Sequence, residues 1–393
     1  MRKNGTILVF FLLSTLIWGC NDSCDEGQDT EAAELTTLDR RGDSFQEDMT
    51  VPYTGPWLAE PEGVMVLDGL VFVTNINASW DAENSRMDFQ EGFLTVFDAK
   101  TLAPVQAILM PFKNPQEVVH CGSRIAVVCS GTAAMNDDWV FAPEEDGGVV
   151  WIDAESLEIV AKTHISHTEL GAMAGYPGPA AWDSKSGHLL VGSGTGPYVF
   201  ALSPDEENPV WTAQLYPEEA GGNDLITPAV VAGEGFAVSF QTGMMYRIDL
   251  HSGTVGTKEI DVTPTDDVEG AIDVAALDGK LLILFTLSSR VVLVDPANGT
   301  ATELFTTGAT PNRMAVSDGF VYVVNSGENN LTRFEESSRQ VQQAFAPMEV
   351  GMNPWDMVID GGFGFVTGYM DQSLVRLNLD SGAVDARYQE GGQ

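Results

Sequence analysis

The chain has 393 residues, 44% of them hydrophobic and 9% aromatic, enough to build a substantial core. Its 57 acidic residues outnumber 19 basic ones, giving a net charge of −38. That balance excludes the basic surface needed for a sequence-independent nucleic-acid grip and argues against a broad contact with anionic lipid. With 40 Gly, 19 Pro and no sustained heptad pattern, the chain reads as all-β with many turns.

Residues 1–19 stand apart from the rest. Arg2 and Lys3 form a basic start, and Ile7 to Trp18 form an apolar run too short for a comfortable transmembrane helix. The run ends Ile17-Trp18-Gly19-Cys20. This resembles a bacterial lipoprotein signal peptide, in which a small residue precedes a Cys that is cleaved at and lipidated. Trp18 is bulkier than that pattern prefers. The resemblance implies export, lipidation at Cys20 and residence at the cell envelope, with membrane contact only through the anchor; the other outcome of such a leader is plain secretion. Residues 20–50 are acidic and poor in large apolar groups, so they read as a disordered tether between lipid and folded part. Residues 51–393 are expected to form one folded unit.

Four cysteines remain to be placed. Cys20 is the expected anchor and Cys24 lies in the tether. Cys121 and Cys129 flank one hairpin; if Gly122-Ser123 is its turn, Cys121 faces Arg124 and Cys129 faces Gln116. The thiols are then roughly 16 Å apart, too far for a disulfide, so both are expected to be reduced and buried.

From residue 55 onward one unit recurs seven times. It opens with a Pro, continues as a short apolar strand, turns at Asp/Gly, returns as a β-branched strand, and after a loop gives a third strand ending in an Asp-x-x-Ser-Gly-like turn. The Gly after the first strand falls at Gly69, Gly122, Gly187, Gly235, Gly279, Gly319 and Gly361, at intervals of about 40–65 residues, the range of four-stranded propeller blades. Second strands include Leu70–Asn75 (LVFVTN) and Phe320–Asn325 (FVYVVN). Third strands end at Asp98, Asp153, Asp249, Asp295 and the Asn378–Gly382 turn, with degenerate versions near Ser203 and Glu335.

Phe72-Val73-Thr74-Asn75, Tyr322-Val323-Val324-Asn325, Asn114-Pro115 and Asn353-Pro354 resemble the YVTN-type β-propeller repeat family. The resemblance spans about residues 55–390 and implies a seven-bladed β-propeller of four-stranded antiparallel blades. It carries no activity with it, because this fold hosts binding scaffolds and unrelated enzymes alike. The sequence leaves the closure of the ring open: the last blade can find all four strands at the C-terminus, or Met49–Tyr53 can add or swap an outer one.

In a propeller the first strands line the central channel, and their starts share a face with the loops between second and third strands. The opening Pro residues are Pro61, Pro115, Pro179, Pro228, Pro311 and Pro354, with Gly270 standing in for blade 5. The next residues should ring the channel mouth: Glu62-Gly63, Gln116-Glu117, Ala180-Ala181, Ala229-Val230, Ala271-Ile272, Asn312-Arg313 and Trp355-Asp356. Blades 6, 7, 1 and 2 are then polar and contiguous. Arg313 is almost the only base there; it suits a carboxylate, either Asp356 or Glu117 or one on a ligand.

The same face should carry the insertions Ile76–Glu91 and Thr132–Asp146, with Trp80, Trp139 and Phe141 as apolar contacts for a partner. Calcium ligation by Asp81, Glu83, Asn84 and Asp88, or by Asp137, Asp138 and Asp146, competes with a solvated acidic surface, since neither run has EF-hand spacing. His164, His167 and Glu169 lack a further ligand at zinc spacing. Gly192–Gly196 precedes another strand, so it reads as a hairpin and not a phosphate cradle.

Two functions follow as expectations. The first is an envelope binding or scaffold module for a protein or small ligand, without a cofactor. The second is a metal-dependent, lactonase-like hydrolase in which Glu62, Glu117, Asn312 and Asp356 hold calcium or another divalent ion.

Overall fold

The computed structural model describes residues 55–81, 86–135, 141–170, 175–218, 223–263, 268–346 and 350–391. The expected signal peptide, Cys20, the tether, Met49–Tyr53, Glu83, Asn84, Asp137, Asp138 and Trp139 lie outside these.

Seven four-stranded antiparallel sheets follow one another along the chain. Blade 1 is β1 (Pro61–Leu67), β2 (Leu70–Asn75), β5 (Phe93–Asp98) and β6 (Pro104–Leu109), with an inserted hairpin β3 (Ala78–Asp81) and β4 (Arg86–Phe89). Blade 2 is β7 (Pro115–Cys121), β8 (Arg124–Cys129), β11 (Gly147–Asp153) and β12 (Ile159–Ile165), with inserted β9 (Ala133–Met135) and β10 (Phe141–Pro143). A single helical turn, α1 (His167–Leu170), precedes blade 3, which is β13 (Pro177–Asp183), β14 (His188–Ser193), β15 (Tyr198–Leu202) and β16 (Trp211–Gln214). Blade 4 is β17 (Ile226–Val231), β18 (Glu234–Ser239), β19 (Met244–Ile248) and β20 (Ile260–Asp261). Blade 5 is β21 (Ala271–Leu277), β22 (Lys280–Phe285), β23 (Arg290–Asp295) and β24 (Thr300–Thr306). Blade 6 is β25 (Pro311–Ser317), β26 (Phe320–Asn325), β27 (Asn330–Glu335) and β28 (Gln340–Gln342). Blade 7 is β29 (Pro354–Asp360), β30 (Phe363–Gly368), β31 (Ser373–Asn378) and β32 (Val384–Gln389).

The seven-bladed, all-β expectation therefore holds. Burial shows why the blades need one another. Both faces of a second strand are covered, so β2 and β26 are buried over their last five residues, whereas the outer strand β32 alternates between half-buried and exposed. Each interface between neighbouring blades has its own apolar cluster. Phe236 and Val238 of blade 4 meet Leu281 and Ile283 of blade 5, for example, and Val71 and Val73 of blade 1 meet Phe365 and Leu374 of blade 7.

The ring closes without strand exchange among the described residues: blade 7 takes all four strands from the C-terminal stretch. Side chains tie it to blade 1. Glu390 accepts from the Trp57 and Leu58 amides at 2.9 and 3.2 Å, and Thr367 donates to the Glu62 carbonyl at 2.7 Å. Arg376 of β31 donates to the Ala99 carbonyl at 2.7 Å.

The recurrent turns work through their carboxylates. Asp98 accepts from the Lys100 and Thr101 amides at 3.1 and 2.7 Å, and Asp153 and Asp249 do the same in their blades. In blade 7 the cap is Asn378, which accepts from the Asp380 and Ser381 amides.

Three register expectations are corrected. In blade 4 the hairpin turn is Ala232-Gly233, both at positive φ, and Gly235 lies inside β18. A bulge at Gln116 makes Cys129 pair with Pro115, although both thiols are free and buried as expected. The blade openings also shift, with consequences for the site.

Candidate functional site at the channel mouth

The residue before the first strand has positive φ in most blades: Glu60, Asn114, Tyr176, Gly270, Thr310 and Asn353. This left-handed kink turns the chain from the previous blade into the channel. It explains the Asn-Pro openings, since Asn tolerates that conformation and Pro begins the strand with its fixed φ. It also places the opening residues. Pro177 pairs with Ser193, Ile226 with Ser239 and Ala271 with Phe285, as Pro61 pairs with Asn75.

The mouth residues of blades 3, 4 and 5 are therefore Gly178-Pro179, Thr227 and Ile272-Asp273, replacing the expected Ala180-Ala181, Ala229-Val230 and Ala271-Ile272. Blade 3 carries two prolines, Pro177 and Pro179, so the sequence marker was ambiguous there; blade 4 lacks the bulge found in the others. Asp273 is the residue sequence reasoning missed. Counting seven residues back from each hairpin turn finds it, because Asp278 then gives Ala271 just as Asp318 gives Pro311.

These residues form one charged centre on the channel. Arg313 lies 3.4 Å from Glu117, across the ring from blade 6 to blade 2, with both side chains about four-fifths buried. Asp356 accepts from the amide of Val64 in blade 1 at 2.9 Å and from that of Met357 at 2.7 Å. Asp273 does the same between blades 5 and 6, accepting from Met314 in blade 6 at 2.7 Å and from Val274 at 2.9 Å. The two aspartates are equivalent latches between successive blades.

The electrostatics follow from burial. Desolvation raises the carboxyl pKa of Asp273, Asp356 and Glu117, and the Arg313 charge only partly offsets it. Glu62, which is buried, is pushed up to about 8 by desolvation, against the pull of Arg313 and with the push of Glu117 and Asp356. Burial also works against the Arg313 charge, but Glu117, Asp273, Asp356 and Glu62 together hold its pKa above the usual value.

Hydroxyls complete the rim. Thr74 accepts from the Gly63 amide at 2.8 Å and donates to the Gln116 carbonyl at 3.3 Å, linking blades 1 and 2. Ser130 reaches the Gln116 side chain at 2.8 Å and the Pro177 carbonyl at 2.5 Å. Asn114 donates to the Tyr176 hydroxyl at 3.0 Å. Trp355 packs on Tyr369 with ring centroids 5.4 Å apart. Behind the charged groups the channel holds a cavity of about 310 Å³; Glu117, Asp273, Arg313 and Asp356 wall it on one side, and Pro179, Ala180, Ala181, Pro228 and Ala229 on the other.

The insertions stand on the expected face, between second and third strands. The β3–β4 hairpin lies over the blade 7 side of the mouth, where Ile76, Ala78, Met87 and Phe89 cluster with Tyr369 and Trp355. Trp80 lies on β3 opposite Met87, and Phe141 lies on β10 opposite Met135. The two histidines diverge: His164 packs edge-on against Phe112, and His167 Nδ1 is 2.8 Å from Asp146. Among the described residues no group of three or more His, Cys, Asp or Glu is placed to hold a metal ion.

No protein-family model and no curated protein matches the chain by sequence. Solved structures do match by fold. A catalytically inactive virginiamycin B lyase from Staphylococcus aureus, bound to quinupristin, superposes with TM-score 0.58 at 14% identity, over 79% of this chain and 92% of that one. A putative 6-phosphogluconolactonase from Bacteroides uniformis gives TM-score 0.55 at 15% identity, over 77% and 91%. The computationally designed Ika8 protein gives 0.51 at 8% identity, over 85% and 90%. Identities this low carry the architecture and nothing of the chemistry, so what the comparisons and the strand order jointly establish is that the chain is a seven-bladed β-propeller.

Proposed function

We propose that the chain is an exported binding propeller, anchored by lipid at Cys20 and held off the membrane by the acidic tether. Its insertion-bearing face meets an envelope protein or small ligand. One observation carries this reading: Asp273, Asp356, Glu117 and Arg313 of the channel already have partners within the ring. Asp273 and Asp356 are engaged by backbone amides of neighbouring blades, and Arg313 by Glu117. They hold the mouth in one shape, while the β3–β4 hairpin stands over its blade 7 side and offers surface to a partner.

The reading is tested by exchanging the insertion-borne aromatics. Trp80→Ala with Trp139→Ala should weaken capture of the partner while leaving the thermal midpoint within a few degrees. Unchanged capture would place the contact surface elsewhere. Cys20→Ser should release the protein from membranes in a fractionation experiment.

A hydrolytic reading has one observation in its favour. Burial keeps the Glu62 carboxyl protonated near neutral pH, as a general acid must be. In its metal-dependent form, a divalent ion would have to touch at least three of Glu62, Glu117, Asn312 and Asp356. The Arg313 guanidinium already stands against Glu117 in that centre, and a second charge of the same sign beside it is electrostatically costly. Lactone turnover lost in Glu62→Gln would favour hydrolysis over binding.

A further inference from the structure

Each blade's sheet has two edges. The first strands turn theirs into the channel, and the fourth strands β6, β12, β16, β20, β24, β28 and β32 turn theirs to the outside. An open outer edge is a row of unpaired N–H and C=O groups that another strand can join, so such edges are ordinarily short, charged or covered. Every fourth strand but one follows that rule. β16, β20 and β28 have four residues or fewer. β24 carries Glu303, and β32 carries Asp385 and Arg387. β12 carries Lys162 and is covered besides: His164 donates its amide to the Glu207 carbonyl at 2.8 Å, and Thr163 donates to the Glu206 carbonyl at 2.9 Å.

The exception is β6. It reads Pro104-Val105-Gln106-Ala107-Ile108-Leu109, six residues without a charge. The uncharged run extends from Thr101 to Phe112, between Lys100 and Lys113. Ile108 and Met110 are buried in the core shared with blade 2, but Val105 and Leu109 are 55% and 43% exposed. Met110 donates its amide to the Gly92 carbonyl at 3.0 Å, so by alternation Ile108 also turns its amide toward β5, while Ala107 and Leu109 turn theirs outward. Among the described residues no strand or loop bonds to those two amides. Pro104 and Pro111 stop the open stretch at both ends.

A strand that joins this edge must be extended, free of charge and of the same short reach. The acidic stretch 20–50 would bring charge to an edge that has none. The strand that matches on every count is β6 itself. Copies of a chain with net charge −38 repel, so they meet closely only where neither brings carboxylates, and this edge is such a place.

We infer that two copies of this chain pair antiparallel along β6, about a two-fold axis at Ile108, joining two blade 1 sheets into one. Ala107 of one copy then faces Leu109 of the other, and each such pair exchanges both N–H···O bonds, about four in all. Val105 and Leu109 lose part of their exposure in the contact. β6 lies on the outer rim, so the mouth stays open in both copies, and the inference is independent of the binding reading above. The contact is smaller than a standard interface, so the dimer should be weak, with dissociation at about tens of micromolar.

Sedimentation velocity of the full chain with Cys20→Ser, which removes lipid as a cause of association, tests this. A monomer–dimer equilibrium should appear and should shift toward dimer as added salt screens the repulsion. Hydrogen exchange should slow over residues 104–110 as concentration rises, and should not change over Val384–Gln389 of β32. Leu109→Lys places a charge on the exposed edge and should weaken association about tenfold or more. Ala107→Pro removes an outward amide that the fold does not use and should do the same. Val341→Lys, on the exposed fourth strand of blade 6, should leave association unchanged. A monomer at every concentration up to about 200 µM, a dimer unmoved by Leu109→Lys, or exchange over β6 that is slow at every concentration, as when another segment of the same chain lies on it, would each overturn the inference.

Discussion

Arg313→Met isolates what the central charge does for the ring. Methionine keeps an unbranched apolar stem of similar reach and removes the guanidinium. Arg313 and Glu117 are 19% and 18% exposed, so solvent screens the loss only slightly. Removing one partner of a buried ion pair costs about 3–5 kcal/mol, because the other charge stays behind without compensation. For a chain of this size that corresponds to a fall of roughly 5–10 °C in thermal midpoint. The loss should depend on pH. Glu62 ionises near pH 8 in the fold but near 4.5 when unfolded. The folded state thus binds more protons between these values, and its stability falls as pH rises through them, by up to about 1.4 kcal/mol per unit. Without Arg313 every carboxyl in the centre moves further up, so the variant should approach wild type near pH 5 and diverge most near pH 8. Urea melts followed by tryptophan fluorescence at the two pH values measure this, and Glu117→Gln in the Arg313→Met background should recover part of the loss. An equal midpoint shift at both pH values would show that Arg313 acts by packing alone and refute the charge argument.

Two further outcomes follow from packing. Gly192→Ala should destabilise by about 2–4 kcal/mol, because the added Cβ would lie 1.8 Å from the Ile226 carbonyl oxygen where blade 3 meets blade 4; the same denaturation assay reads it. Cys121 and Cys129 should resist a disulfide-exchange reagent at pH 8 until the protein unfolds, because burial pushes the Cys121 thiol up to about 12 and Cys129 higher still; rapid labelling of either in the folded chain would contradict the blade 2 core.

The sequence by itself determined the architecture, because blade strands are local. A turn at Asp68-Gly69 or Asp318-Gly319 joins neighbours in both chain and sheet, and the Asp98 and Asp249 caps act within three residues. Such signals need no knowledge of the rest of the ring. The lipidation proposed at Cys20 rests on a pattern equally local, and membrane fractionation of Cys20→Ser tests it. What only the tertiary structure decided is the content of the channel. Asp273 joined the centre because a bulge offsets β21 against β22 by one residue, a shift that composition does not announce. Arg313 met Glu117, separated from it by 196 positions in the chain, because ring closure brings blades 6 and 2 to opposite sides of one axis. The burial of Glu62 follows from the same cause: the first strands converge, and the charged groups around its carboxyl come from blades 2, 6 and 7, so its raised pKa is fixed by the whole ring and not by any one blade.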